Sequence, residues 1–298
     1  MEQLSAGRHC PTRRARAVAA ALLLGAAVPA APVIAQAPSA RVDLVVATTT
    51  DVHGRLRAWD YYASAPDSAH SLAAAATIVD SVRAAHPGRV VLVEAGDILQ
   101  GNPLTYVAAR VSPPPVHPVI ASMNVMRYDA AVLGNHEFNY GVPLLKRAMA
   151  QASFPFLAAN VQNANGSNFV APWTMVTRAG IKVAIVGGTT PGSMVWDRDN
   201  LKAAGVTVSD IVPAVKSSVA AARRAKADVV IVLLHSGLAE PATYDTVATG
   251  LPSENVSARI PKEIPGVDVV VFGHSHREVV DTTIGGALVM QARNWAGS

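Results

Sequence analysis

Five histidines stand just beyond short apolar runs: His53, His136, His235, His274 and His276. Asp51, Asp97 and Asn135 occupy equivalent places. They occur as Asp51-x-His53, Gly96-Asp97, Gly134-Asn135-His136-Glu137, an isolated His235, and Gly273-His274-x-His276. Carboxylate, amide and imidazole together suit divalent ions such as Zn, Mn, Fe or Co better than Cu(I). In Asp51-x-His53 and His274-x-His276 the donors are two residues apart, so on an extended segment both point the same way. Gly96, Gly134 and Gly273 are expected to let the backbone turn sharply and approach an ion closely. Each motif has a plainer reading alone. A polar turn after a strand explains Asp51-x-His53 or Gly96-Asp97, and a satisfied core or loop histidine explains His235. Gly134-Asn-His-Glu137 is the most specific, because few structural demands call for Asn-His-Glu after a tight glycine turn. In combination, the five point to metal chemistry. Of the other histidines, His9 lies in the N-terminal segment, His70 and His86 read as solvated helix ends, and His117 as a capping or packing residue.

These donors need elements to hold them. Leu44–Ala47, Val90–Val93, Ala130–Leu133, Phe156–Ala159, Val229–Leu234 and Val267–Phe272 are short apolar runs that read as buried strands, and Leu288–Met290 begins another. Ser71–Ala85, Val116–Met126, Gly141–Gln151 and Ile211–Lys226 read as helices. Met175–Thr177 and Ile181–Val186 flank Ala179-Gly180, a hairpin signal. Strands alternating with helices define an α/β fold whose sheets are covered by helices, and the hairpin makes the sheets mixed. In such sheets ligands gather outside the carboxyl ends of the strands. Five chain segments therefore deliver Asp, Asn and His to one edge. Residues 160–170 and 240–256 read as polar loops, placed as insertions near a site.

The first 37 residues carry a different message. Arg8, Arg13, Arg14 and Arg16 precede the apolar stretch Ala17–Val28, then Pro29, Pro32 and small residues at Ala35 and Ala37. That order is a secretory signal peptide with cleavage near 35–37, implying export to the periplasm or beyond. The apolar part is short for a membrane span and prolines follow it, so no stable membrane anchor is expected. The segment holds four Arg and one Glu, so the +4 formal charge falls to about +1 without it. A balance so near neutral gives no reason to expect a nucleic acid polymer as partner. The single cysteine, Cys10, leaves with the segment, so any metal is held through oxygen and nitrogen.

From Leu44 to Met290 the order of motifs resembles the calcineurin-like metallophosphoesterases. Thr49–Gly54, Gly96–Leu104 and Gly134–Gly141 are closer still to the exported 5′-nucleotidases. With Trp59-Asp60-Tyr61-Tyr62 they point to the 2′,3′-cyclic-nucleotide 2′-phosphodiesterase/3′-nucleotidase branch. The resemblance implies a four-layer α/β/β/α sandwich over residues 41–298 and two divalent metal ions. Asp51, His53 and His276 would hold one ion and Asn135, His235 and His274 the other. Asp97 would bridge them, and His136 would sit by the phosphate without binding metal. The implied reaction is metal-assisted hydrolysis of a small nucleotide phosphate ester. Alternatives are 5′-nucleotidase, nucleotide-sugar hydrolase, the sulfur-oxidation relative and, from another class, a non-catalytic exported binding module. Two departures stand out. Asn139 holds the place where related 5′-nucleotidases carry an acidic residue that orients the histidine, and it reads as a mark of the cyclic-phosphodiesterase branch. The C-terminal domain that stacks the base is expected to be absent, and the sandwich to be incomplete at its C-terminal end.

Overall fold

The computed structural model describes residues 41–297, so the leader read at 1–37 lies outside the described residues. Two sheets form the frame. The first contains β1 (Val45–Thr49), β2 (Val90–Glu94), β3 (Ala130–Val132) and β4 (Phe156–Leu157), in that order and wholly parallel. The second contains β5 (Trp173–Arg178), β6 (Ile181–Thr189), β7 (Val229–His235), β8 (Val269–Phe272), β9 (Val279–Ile284) and β10 (Ala287–Gln291). Its order is β9-β10-β8-β7-β6-β5, with four parallel inner strands and an antiparallel hairpin at each edge. The sheet expected to be mixed is thus the second alone. Residues 160–170 are not all loop, because Val161–Asn163 pairs antiparallel with Val206–Val208.

Continuous apolar strands arise because both faces of each sheet are covered. Along β2, Val91 and Val93 point into the core between the sheets, while Leu92 points to the helix side. Along β7, Ile231 and Leu233 join that central core, while Val230, Val232 and Leu234 face the opposite helices. Three cores separate four layers, the α/β/β/α order expected. Burying each such Val, Leu or Ile contributes about 1.5–3 kcal/mol.

The outer layers have local causes. In α1 (Leu72–Ala85), Ser71 caps the first turn by accepting from the Ala74 N–H, and Leu72, Ala75 and Val79 form the buried stripe. Helix α2 (Pro118–Met126) starts with a proline and ends at Arg127 in the left-handed region. Arg83 donates to the carbonyls of Met126 and Arg127, filling acceptors that the helix end leaves open. Helix α3 (Val142–Gln151) follows Gly141, whose φ of 87° suits glycine. After β6, α4 (Ser193–Trp196) is a single turn whose Met194 packs on the core outside the first sheet, whereas α5 (Ile211–Arg224) lays Ile211, Val212, Val215 and Val219 on the second sheet. Asp210 caps α5 by accepting from the Val212 N–H.

His117 stands at the N-cap position of α2 but makes no side-chain capping bond. Its ring is buried, with no partner for either nitrogen, which makes it a packing residue. Burial pushes its pKa down to about 4 from an ordinary 6.5. The unfolded chain therefore binds this proton first as pH falls, and native stability is lost between pH 6.5 and 4, by about 3 kcal/mol in full. His117→Leu should stabilise the protein and remove that component. Thermal unfolding of both proteins from pH 7.5 to 4 checks this, and equal slopes would contradict it.

Candidate metal centre

Parallel strands place their carboxyl ends on one edge, and the two sheets meet there. β1 runs into Asp51 and His53, β2 into Asp97, and β3 into Asn135 and His136. β7 ends on His235 itself, and β8 runs into His274 and His276. The seam is closed by a bond from His235 Nδ1 to the carbonyl of Ala95, at 2.8 Å, which joins the second sheet to the first.

Asp97 is at the middle, 2% exposed. Its Oδ2 lies 3.1 Å from His235 Nε2, 3.8 Å from His53 Nε2 and 3.9 Å from His136 Nε2. Its Oδ1 accepts from the His136 backbone N–H at 2.9 Å. Burial alone would raise its pKa, but the three imidazoles hold the carboxyl well below its ordinary range. His235 shows the reverse balance. Burial opposes its charge, yet Asp97 and Asp51 push its pKa up to about 10.

On one side of Asp97, one donor atom each from Asp51, His53, Asp97 and His276 all lie within 4.8 Å of one another. His276 Nε2 is 3.4 Å from Asp51 Oδ1 and 3.2 Å from His53 Nε2. On the other side, Asn135 Oδ1 is 3.1 Å from His235 Nε2, and the rings of His235 and His274 are 5.1 Å apart. Asp51, His53, Asp97 and His276 are thus brought into one cluster, and Asn135 and His274 adjoin it through His235, which touches Asp97. His136 and His276 lie at the open side, with side chains 36% and 41% exposed.

The second nitrogen of each histidine fixes which lone pair is offered. His53 Nδ1 donates to the Gln100 carbonyl at 2.6 Å and His235 Nδ1 to that of Ala95, so each presents Nε2 to the centre. His274 Nε2 faces Glu254 Oε2 at 3.3 Å, which leaves Nδ1. His136 Nδ1 donates to Asn139 Oδ1 at 2.6 Å. The Asn139 amide is itself oriented, since its Nδ2 donates to both oxygens of Asp197 at 2.9 and 3.0 Å. The carboxylate that the sequence lacks at position 139 is therefore present one hydrogen bond further away. Burial raises the Asp197 pKa while its amide partners oppose that rise.

Close packing at the centre strains the backbone. Asp51, His53, Asp97, His274 and His276 all have positive φ, between 46° and 78°. Each such residue costs about 1–2 kcal/mol, and strain of this kind gathers at sites that use it. The glycines divide their roles. Gly96 has φ of 94° and turns the chain. Gly134 and Gly273 have ordinary φ and supply room instead, because a Cβ on Gly134 would overlap Asp97 Oδ1 and one on Gly273 would overlap Thr50 Oγ1.

Three carboxylates escaped the sequence reading. Glu137 is 1% exposed and binds four backbone N–H groups: Asp97 at 2.8 Å, Ile98 at 2.6 Å, Leu99 at 3.1 Å and Gly134 at 2.6 Å. It stitches the loop after β2 to the loop after β3. Its presence inside the Asn-His-Glu motif was the available signal. Asp197, the one residue between the helices Ser193–Trp196 and Arg198–Ala204, and Glu254, in a loop, lie 58 and 20 residues from the groups they orient, where no spacing rule reaches. The polar loop 240–256 that supplies Glu254 was the only pointer to it. His70, expected to be solvated, is half-buried, 3.0 Å from Asp67 Oδ2 and edge-on to Trp295.

A parallel and a mixed sheet that share a histidine and carboxylate edge define a metallophosphoesterase fold. The chain belongs to the calcineurin-like phosphoesterase family, which it matches over residues 44–278. It is 36% identical over 252 residues to a 2′,3′-cyclic-nucleotide 2′-phosphodiesterase/3′-nucleotidase of Yersinia enterocolitica, covering 80% of this chain and 37% of that protein. It is 33% identical over 271 residues to the trifunctional nucleotide phosphoesterase YfkN of Bacillus subtilis, covering 86% of this chain and 18% of that protein. The crystal structure of the calcineurin-like phosphoesterase YfkN from the same organism matches with a TM-score of 0.77 at 30% identity, over 85% of this chain and 82% of that one. The chain therefore spans well under half the length of these two curated relatives.

Glu137→Gln tests the stitching. A neutral amide turns an N–H pair towards backbone N–H groups and leaves at least one of them unpaired. Stability should fall by about 2–4 kcal/mol. Denaturant unfolding checks this, and an unchanged midpoint would contradict the role given to Glu137.

Proposed function

We propose that the chain hydrolyses phosphate esters of nucleotides with two divalent metal ions. Asp51, His53 and His276 would hold one ion and Asn135, His235 and His274 the other, with Asp97 as the carboxylate common to both. The donor set fits such ions: a buried carboxylate already drawn to its anionic form, and imidazoles whose outer nitrogens are tied to backbone carbonyls so that the inner ones face the centre. The observation that carries the reading is the place of Asp97 Oδ2, within 4 Å of His235, His53 and His136. When bound, a pair of divalent cations neutralises charge on a phosphate ester and acidifies water. Zinc, manganese, iron and cobalt all suit these donors.

The chain's own residues do the rest. Asp97 shares one negative charge between the two halves and keeps them close. His136 is at the open side, with Nδ1 held by Asn139 and therefore Nε2 directed to the centre. There it stabilises charge on the phosphate or supplies a proton to the leaving oxygen. Asp197 positions Asn139 and so keeps the His136 ring from turning.

The substrate class is a nucleotide, with 2′,3′-cyclic and 3′-phosphates preferred. The name carried by the Bacillus relative supports a nucleotide, and the name of the Yersinia relative together with the Asn139 variant of the third motif supports the cyclic and 3′ preference. The residues from 41 onward form the catalytic domain, and the N-terminal sequence supports export. No described helix is long and apolar enough to cross a membrane.

Turnover of 2′,3′-cyclic, 3′- and 5′-nucleotides measured side by side on metal-supplied protein tests the assignment. Faster release from the cyclic and 3′ substrates is expected. A preference for the 5′-phosphate would move the chain to the 5′-nucleotidase branch, and binding without turnover would make it a binding module.

A further inference from the structure

Trp196 is the last residue of α4 and is 40% exposed. An indole is a costly group to leave in water, and a half-open one fixed in place calls for an account. Its ring lies 5.6 Å from the ring of His274 with only 33° between the planes, an offset near-parallel contact. Tyr244 meets it edge-on at 6.1 Å and is itself held by a bond from its hydroxyl to the Pro252 carbonyl. A Cβ on Gly192 would overlap the six-membered ring, so the indole rests on bare backbone there. Three neighbours immobilise the ring, yet two-fifths of the residue stays open. Beside it is a cleft of about 670 Å³ lined by Val195, Trp196, Asp197, Arg198, Asp199 and Asn200, a volume suited to a small ligand.

We propose that Trp196 is the surface on which the substrate's nucleobase stacks, a deepening that rests on the nucleotide hydrolase reading above. The placement favours this class of ligand. His274 touches the proposed ions on one side and Trp196 on the other, so the indole is one ring removed from the place of the phosphate. In a nucleotide one sugar separates phosphate from base. A flat apolar group tethered to an anion is the shape that spans the metal edge and this ring. An indole already immobilised loses little freedom when a base covers it, which favours binding. Every base offers a π-face, so the platform adds affinity with little choice among bases. The same short segment then serves both ends of the substrate, because Asp197, the next residue, orients Asn139 and through it His136.

The test compares a nucleoside 2′,3′-cyclic phosphate with methyl riboside 2′,3′-cyclic phosphate, which lacks the base. The wild-type protein should favour the nucleotide in kcat/KM by on the order of tenfold, mainly through KM. Trp196→Ala should bring the ratio near one, and Trp196→Phe should keep most of it. Adenosine, which has no phosphate, should quench the tryptophan fluorescence of the wild type, and Trp196→Phe should lose that quenching while adenosine still inhibits. A wild-type ratio near one with both substrates turned over would overturn the platform and leave the hydrolase reading standing. An equal fall for both substrates in Trp196→Ala would also overturn it, making Trp196 a packing residue for His274. If neither substrate is turned over, the hydrolase reading fails instead, and the adenosine quench alone decides the platform.

Discussion

A carboxylate stripped of water, Asp97, is the constraint on which the structure turns. Moving such a charge from water costs several kcal/mol unless partners repay it. Here the repayment comes from imidazoles contributed by three chain segments, His53, His136 and His235. Those imidazoles must be held in turn, and backbone carbonyls of Gln100 and Ala95 do so for two of them. Five of the residues proposed to bind metal accept left-handed backbone geometry to converge. The buried Glu137, with its four N–H partners, keeps two of the converging loops from separating. Remove the central charge and little else explains why these loops are strained, tied and short.

The fold makes that convergence possible by setting a parallel sheet and a mixed sheet face to face. Each strand sends alternate side chains into the central core and into an outer core, as Val91, Leu92 and Val93 show. Both sheets thereby pack on one central core, and their carboxyl edges meet at His235 and Ala95. The strands thus set where the donor-bearing loops begin, and His235 alone of the donors stands in a strand. The open side is left to His136, His276 and the Trp196 segment, where a substrate has access.

The residues read from the sequence were those whose type and spacing carry a rule. Apolar runs of three to six residues marked the strands, and donors stood at the ends of five of them, so the edge was legible before any geometry. The strand at 229 ran one residue further than read, which puts His235 in the sheet itself. Unread were the residues whose role depends on chain reversal. Glu254 and Asp197 come from segments without periodicity and act through partners distant in sequence. The roles of Gly134 and Gly273 were misjudged, because a glycine that makes room for a neighbouring carboxylate or hydroxyl looks the same in sequence as one that turns. The edge strand β9 and the π-helical turn Val107–Val111 lacked a repeating signal too.

The most direct measurement is metal content, by elemental analysis of the purified protein after dialysis against zinc or manganese and removal of the excess. Two sets of donors sharing Asp97 predict about two ions per folded chain. A folded protein that retains none would contradict the account at its centre.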